Sequence, residues 1–234
     1  MKKIVFGLFM VLAAAASAHA GRLWVMDSPT SNILNYGAYD VDIRFFSAGG
    51  VQTRLDFGVF KIFNIGIAWE FDKFIGNDKV QVAIPALSAK LDVYSGDMDL
   101  PSIALGYDGQ GYFFSTDYTD DYFQLGKGVY FVLGREVFFE GLTINGGLNM
   151  NNFRNAKVYA FLNAEVPLLK DYIAFMAEYD NFHYFADARL NFGLRFSLSE
   201  YIDFDFIMRD CWAPNGFDRV PNERVFKINY SGKF

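Results

Sequence analysis

Cysteine is almost missing from this chain. Cys211 stands alone in DCWAPNG, so no intramolecular disulfide can form even in an oxidising compartment, and no cysteine-based metal site can be built. Its plain reading is a half-buried loop residue. Histidine is as scarce, with only His19 and His183. No G-x-S-x-G nucleophile elbow occurs anywhere, and DGQGYFF has glycines but no phosphate-loop lysine and opens no recognisable helix. Past the N-terminal twenty residues, no apolar run is long enough to cross a bilayer as a helix. Positive charge is in deficit too, with 21 Lys and Arg against 27 Asp and Glu. That balance argues against nucleic acid or an anionic surface as an electrostatic partner.

What is present begins with MKKIVFGLFMVLAAAASAHA. Lys2 and Lys3 precede an apolar run from Ile4 to about Ala16, and Ala18-His19-Ala20 forms a small-x-small processing site before Gly21. Residues 1–20 therefore read as a cleavable secretory signal. No cysteine follows the site, so lipid anchoring through an N-terminal cysteine has no support.

The remaining apolar residues must be dispersed in strands, since 52% of the chain is hydrophobic without a second spanning run. A soluble β-sandwich would disperse them similarly. A 19% aromatic content, with 27 Phe and 14 Tyr, suits the aromatic girdles of a membrane barrel better. The chain ends in FKINYSGKF, where Phe226, Ile228, Tyr230 and Phe234 share one face and Lys227, Asn229, Ser231 and Lys233 the other. An aromatic last residue on such a strand resembles the signal that barrel-assembly machinery recognises.

Period-two alternation predicts an all-β fold, an antiparallel transmembrane β-barrel of about twelve strands, with ten or fourteen as the other even counts. The predicted strands are 36–46, 52–60, 65–72, 86–94, 102–108, 126–136, 142–150, 158–166, 172–180, 189–197, 202–209 and 226–234. An even count closes the sheet without an exposed edge and returns both ends to the same side. Periplasmic turns are then KIFN, SGDMDLP, VFFEG, PLLKD and LSEY, all short, while the external loops are mostly longer and richer in Gly, Asn and Asp. SAGG is the exception, an unusually short external turn. Pro85 interrupts VQVAIPALSAKL and belongs at a bulge, a rim or a strand start. The barrel occupies 36–234. Residues 21–35 are set apart as a periplasmic N-terminal segment, either an extension or a short plug.

The polar faces of these strands would line the lumen with charges of both signs. The first four strands contribute Asp42 and Arg44, Arg54 and Asp56, Glu70, and Lys90 with Asp92. The later strands contribute Glu178, Arg189, Arg195, Asp203, Asp205 and Arg209. Such groups leave bulk water only when paired, and hairpin geometry places Arg195 beside Asp203 or Asp205, and Asp42 near Arg54. The lumen is then either plugged by its own salt bridges or a narrow hydrophilic pore with charged walls.

Catalytic candidates are weak. His183 in DNFHYFAD has Asp180 and Asp187 nearby in sequence but no serine nucleophile in its loop, and a lone histidine among aromatics is usually a packing residue. Asp117, Asp120 and Asp121 in STDYTDDYF lack the spacing of a calcium loop, so a solvated acidic loop is the plainer reading.

Two stretches carry a resemblance: DSPTSNILNYGAYDVDIRFFSAGGV, and VAIPALSAKLDVYSGDMDLPSIALGYDGQGYF. They resemble the YjbH-like outer-membrane proteins associated with exopolysaccharide production, in which a Pro-Thr segment precedes the first strand and an L-P-x-x-A-x-G-x-x-D strand leads into a glycine-rich loop. The matched Pro29, Pro101, Gly106, Asp108 and Gly111 look architectural. The resemblance implies a non-enzymatic barrel with a structural or accessory role in the cell envelope, linked to surface polysaccharide, with no catalytic residue or cofactor to carry over. The alternative is a small-solute channel with a charged lumen. The expected location is the outer membrane of a Gram-negative-type bacterium. Outer-membrane lipid, lipopolysaccharide, barrel-assembly machinery and surface polysaccharide are the expected partners, and nucleic acid is not.

Overall fold

Residues that alternate large apolar with polar side chains can satisfy their backbone only by pairing with neighbours that do the same. In the computed structural model they do so as a closed ring. Residues 22–115, 121–137, 141–153, 156–169, 172–184, 187–212 and 221–234 are described, with the backbone alone for 114–115 and 121–123. The strands are β1 (Ala38–Phe46), β2 (Gly50–Phe60), β3 (Phe63–Asp72), β4 (Gln81–Val82), β5 (Ala86–Tyr94), β6 (Ser102–Asp108), β7 (Tyr112–Ser115), β8 (Asp121–Gln124), β9 (Gly128–Glu136), β10 (Thr143–Met150), β11 (Tyr159–Leu169), β12 (Ile173–Asp180), β13 (Arg189–Ser197), β14 (Ile202–Arg209) and β15 (Glu223–Lys233). Twelve of them form the wall, each antiparallel to its neighbours. Closure comes from β1 against β15, with Val41 opposite Tyr230 and Ile43 opposite Ile228.

All the expected strands are present, four at their expected bounds and none displaced by more than three residues. The two-residue β4, which pairs with the end of β3, and the separate β7–β8 hairpin were not legible from alternation. Pro85 falls between β4 and β5, where it interrupts no ladder. SAGG is a genuine tight turn. Ser47–Gly49 form a single 3₁₀ turn in which Ala48 (φ 57°) and Gly49 (φ 72°) are both left-handed, and a Cβ on Gly49 would collide with the Ile75 carbonyl.

The outer face is a band of exposed apolar side chains, among them Ile65, Ile67, Trp69, Leu105 and Phe206. Phe226, Ile228 and Tyr230 lie on this face. Phe226 stacks near Phe45 and Phe204, and Phe234 sits against Tyr39 and Phe57.

The inner face is polar but not uniformly so. Ala104, Val132, Phe161, Met176, Ile207 and Val225 also point inward and are buried. They are covered by the N-terminal segment, whose described part, Arg22 to Asn35, is folded into the lumen rather than lying outside it in the periplasm. Leu23, Val25, Met26, Ser28, Thr30, Ser31 and Leu34 are all buried there.

Candidate functional site

The inserted segment is itself a narrow hairpin. Trp24 bridges Pro29, Val25 N–H donates to the Ser28 carbonyl at 3.1 Å, and Thr30 N–H donates to the Leu23 carbonyl at 3.0 Å. It enters from the end that holds the start of β1 and the end of β15. Near that mouth, Arg22 pairs with Asp203 and donates to Asn229, and Leu34 N–H donates to Asn64 Oδ1 at 2.7 Å. Its tip, Met26-Asp27, reaches the opposite half of the lumen.

At the tip, the wall supplies what the turn's backbone requires. Glu178 Oε2 accepts from the N–H groups of Asp27 (3.0 Å) and Ser28 (2.8 Å), so two donors buried away from water are satisfied by one carboxylate. Asp27 lies between two guanidiniums, 2.6 Å from Arg44 Nη1 and 2.6 Å from Arg209 Nε. Arg44 also donates to the Met26 carbonyl at 2.7 Å. Burial alone would raise the Asp27 carboxyl, but the charges of Arg209 and Arg44 outweigh it and hold the group well below the ordinary carboxylate range. Lower down, Ser31 N–H donates to Asn145 Oδ1 at 3.0 Å, and Asn163 Nδ2 donates to the Pro29 carbonyl at 3.1 Å.

Apolar pegs complete the seat. Val25 and Met26 pack among Phe46, Met176, Ile207 and Val225, while Trp24 meets Tyr130 edge-on and lies under Arg54, whose guanidinium carbon is 4.3 Å from the ring centroid. From the other end, Gly111 and the first residue of β7 turn inward. Tyr112 donates toward Asp27 at 3.3 Å, and Gln52 Nε2 reaches the Gly111 carbonyl at 3.1 Å.

The predicted lumen charges divide as follows. Asp42, Arg44, Arg54, Asp56, Glu70, Lys90, Glu178, Arg195, Asp203, Asp205 and Arg209 are all buried inside the ring. Arg195 pairs with Asp205 (2.8 Å) and with Glu165 (2.7 Å), while Asp203 goes to Arg22 instead. Asp42 and Arg54 are opposite one another in the β1–β2 register but do not pair. Asp42 takes Lys227 at 2.5 Å, and Arg54, laid across Trp24, takes Asp108 at 2.9 Å. Asp56 accepts from Ser88 (3.0 Å), Glu70 from Gln52 (3.2 Å), and Lys90 donates to the Leu23 carbonyl (3.3 Å). Asp92 shares the strand face of Lys90 and lies opposite the inward Ala104, but nearer the rim. It is only half-buried beside the irregular β5–β6 register at the strand end, where it accepts from Ser95. Arg189 is half-buried and lines a cavity at the long-loop end.

That cavity has a volume of about 170 Å³, enough for five or six waters at roughly 30 Å³ each. Its floor is the hairpin tip, with Trp24, Met26 and Asp27, and its wall includes Arg44, Arg54, Tyr112, Lys127, Asn149 and Tyr159. Lys127 pairs with Asp180 at 2.5 Å.

His183 is used as a staple. Its Nδ1 accepts from Ala160 N–H at 3.2 Å, its Nε2 lies 2.8 Å from the Val158 carbonyl, and it stacks beside Tyr184. Asp180 and Asp187 are engaged by Lys127 and Lys157. Asp117 and Asp120 lie outside the described residues, as does the Asp121 side chain. Among the described residues, no three His, Cys, Asp or Glu side chains gather to hold a metal.

Asp27, Trp24, Arg22 and the asparagines of β3, β10 and β11 were not singled out from the sequence. A signal for them existed. In GVYFVLG, β9 is apolar on both faces, as are parts of β11 and β14, and a strand apolar on both faces has something other than water on each side.

No protein-family model and no curated protein matches the chain. Among solved structures, a KdgM porin superposes with a TM-score of 0.52 at 14% identity, over 84% of this chain and 99% of that one. A mutant of the Rh. blastica porin gives a TM-score of 0.36 at 14% identity, over 79% of this chain and 55% of that one. The first likeness shows the fold of a porin-type barrel.

Proposed function

We propose that the chain is a non-enzymatic barrel of the outer membrane in a Gram-negative-type cell, shut at rest by its own N-terminal hairpin, with a polar vestibule on the outer side. The observation that carries this is the inward apolar set. Val132, Phe161, Met176, Ile207 and Val225 would face water in a standing pore, and here they form a core with Val25, Met26 and Trp24. Fully burying each such side chain contributes about 1.5–3 kcal/mol, so the hairpin is held as a packed element of the fold. The exposed apolar band outside suits lipid and lipopolysaccharide, the short-turn end faces the periplasm, and the aromatic face of β15 suits recognition by the assembly machinery. The YjbH-like resemblance supports an accessory envelope role beside surface polysaccharide.

A second reading, a channel that opens when the hairpin withdraws, is favoured by the short attachment of that hairpin to the wall. Only Tyr36 and Gly37 separate the inserted segment from β1, with Gly37 at φ 77°. The likeness to a porin barrel also fits it.

The test is refolding into detergent and lipid vesicles. A barrel runs faster on a gel before boiling than after, and vesicles carrying it should not swell in a permeant-sugar solution. Swelling at the rate of an open porin overturns the closed lumen, and a chain that stays in the aqueous phase without detergent overturns the barrel.

A further inference from the structure

A hairpin pairs its two arms with each other and leaves main-chain N–H and C=O groups unpaired along its outer edges. Among the described residues, the inserted segment has no ladder partner except its own other arm. Side chains of the wall take the place of the missing strands. The carbonyls of Leu23, Val25 and Met26 accept from Lys90 (3.3 Å), Arg195 (3.3 Å) and Arg44 (2.7 Å). Glu178 takes the N–H groups of Asp27 and Ser28, while Asn145 and Asn163 take the Ser31 N–H and the Pro29 carbonyl. Asn64 does both at once. Its Oδ1 accepts from Leu34 N–H at 2.7 Å and its Nδ2 donates to the Leu34 carbonyl at 3.0 Å, the exchange that an antiparallel neighbour makes.

The hairpin's side chains are read more sparingly. Ser28 Oγ is buried with no partner among the described residues, and Asn32 is exposed. The exceptions are Arg22 at the mouth, Asp27 between its two guanidiniums, and the apolar pegs. Main-chain groups recur in every polypeptide, so the seat fits a class of molecule and not one sequence. A sugar hydroxyl or a free ion offers no such alternation of amide donors and carbonyl acceptors along a chain.

We infer that the lumen is a peptide receptor: when the hairpin withdraws, its seat takes a short acidic peptide held through the main chain, and peptide is the solute class of the channel reading. The site rests on that reading's withdrawable hairpin. While the hairpin is seated, its tether holds it at an effective concentration of about mM, so a peptide added in trans binds the vacated lumen and not the closed one.

The experiment titrates a refolded barrel lacking residues 23–33 into a synthetic peptide of residues 22–35 labelled with fluorescein at its N-terminus, and reads anisotropy in detergent. Saturable binding is expected, and none by the full chain. A peptide carrying Ser28→Ala and Asn32→Ala should bind within about twofold of the parent. A peptide with an ester in place of the Ser28 N–H should bind at least about tenfold more weakly, because an oxygen then faces the Glu178 carboxylate. Gel mobility before boiling verifies each barrel, and binding is read without conductance, so the closed-lumen reading can fail separately. No saturable binding by a verified shortened barrel, or equal binding of the ester or of a scrambled peptide, overturns the inference. Where the shortened chain does not assemble, the intact one decides. Asn64→Leu should open residues 22–35 to protease while Ser28→Ala leaves them resistant, and the reverse overturns the inference.

Discussion

A carboxylate removed from water between two guanidiniums is costly to neutralise, and Asp27 is in that position. Arg44 and Arg209 each approach it to 2.6 Å, and both are themselves buried. Asp27→Asn leaves two cations short of a countercharge, and breaking a buried pair by removing one partner costs about 3–5 kcal/mol. The folded carboxyl lies below its ordinary value of 3.8, so its stabilisation is fully present above that pH and is lost as pH falls through the depressed folded value. The difference between wild type and Asp27→Asn, measured by denaturant unfolding of vesicle-embedded protein, should be constant from pH 7 to about 5 and should shrink toward zero below the ordinary value. A difference that grows on acidification contradicts this assignment. At this scale the sequence was only half legible. Alternation announced that Arg44 and Arg209 face inward, but Asp27 lies outside any strand, and nothing in DSPTSN marks an aspartate that meets residues 17 and 182 positions away.

The hairpin fits because particular wall positions make room for it. Gly134 is on the inner face of β9, where an added Cβ would overlap Ser31 Oγ and Asn145 Oδ1. Ser31 also meets Ser102 at 2.5 Å there. Gly134→Val should therefore unseat the lower hairpin while sparing the outer apolar face. The expected result is a barrel that keeps its heat-modifiable mobility but becomes cleavable between residues 22 and 35 by protease added on the terminal side. Resistance equal to wild type would mean that the wall has space the geometry does not show. Strand positions were readable because period two survives wherever one face meets lipid and the other does not. β4 and the β7–β8 hairpin were not readable because strands of two and four residues carry too little alternation to register. The double-sided apolar run of β9 was in plain view, and it encodes the presence of a second layer inside the ring.

For the whole molecule, a twelve-stranded ring is wide enough to need a filling, and this chain supplies one from its own N-terminal segment. The ion pairs, the asparagine contacts and the apolar pegs act together, so the lumen is closed by a folded element and not by isolated salt bridges spanning an empty space. Planar-bilayer conductance tests that closure most directly, comparing the refolded barrel from Arg22 onward with a variant lacking residues 23–33, both verified by mobility before boiling. The full chain should be silent, and the shortened one should give discrete, salt-dependent steps. Steps of the same size from both, or silence from a verified barrel without the hairpin, would show that the hairpin is not what closes the lumen.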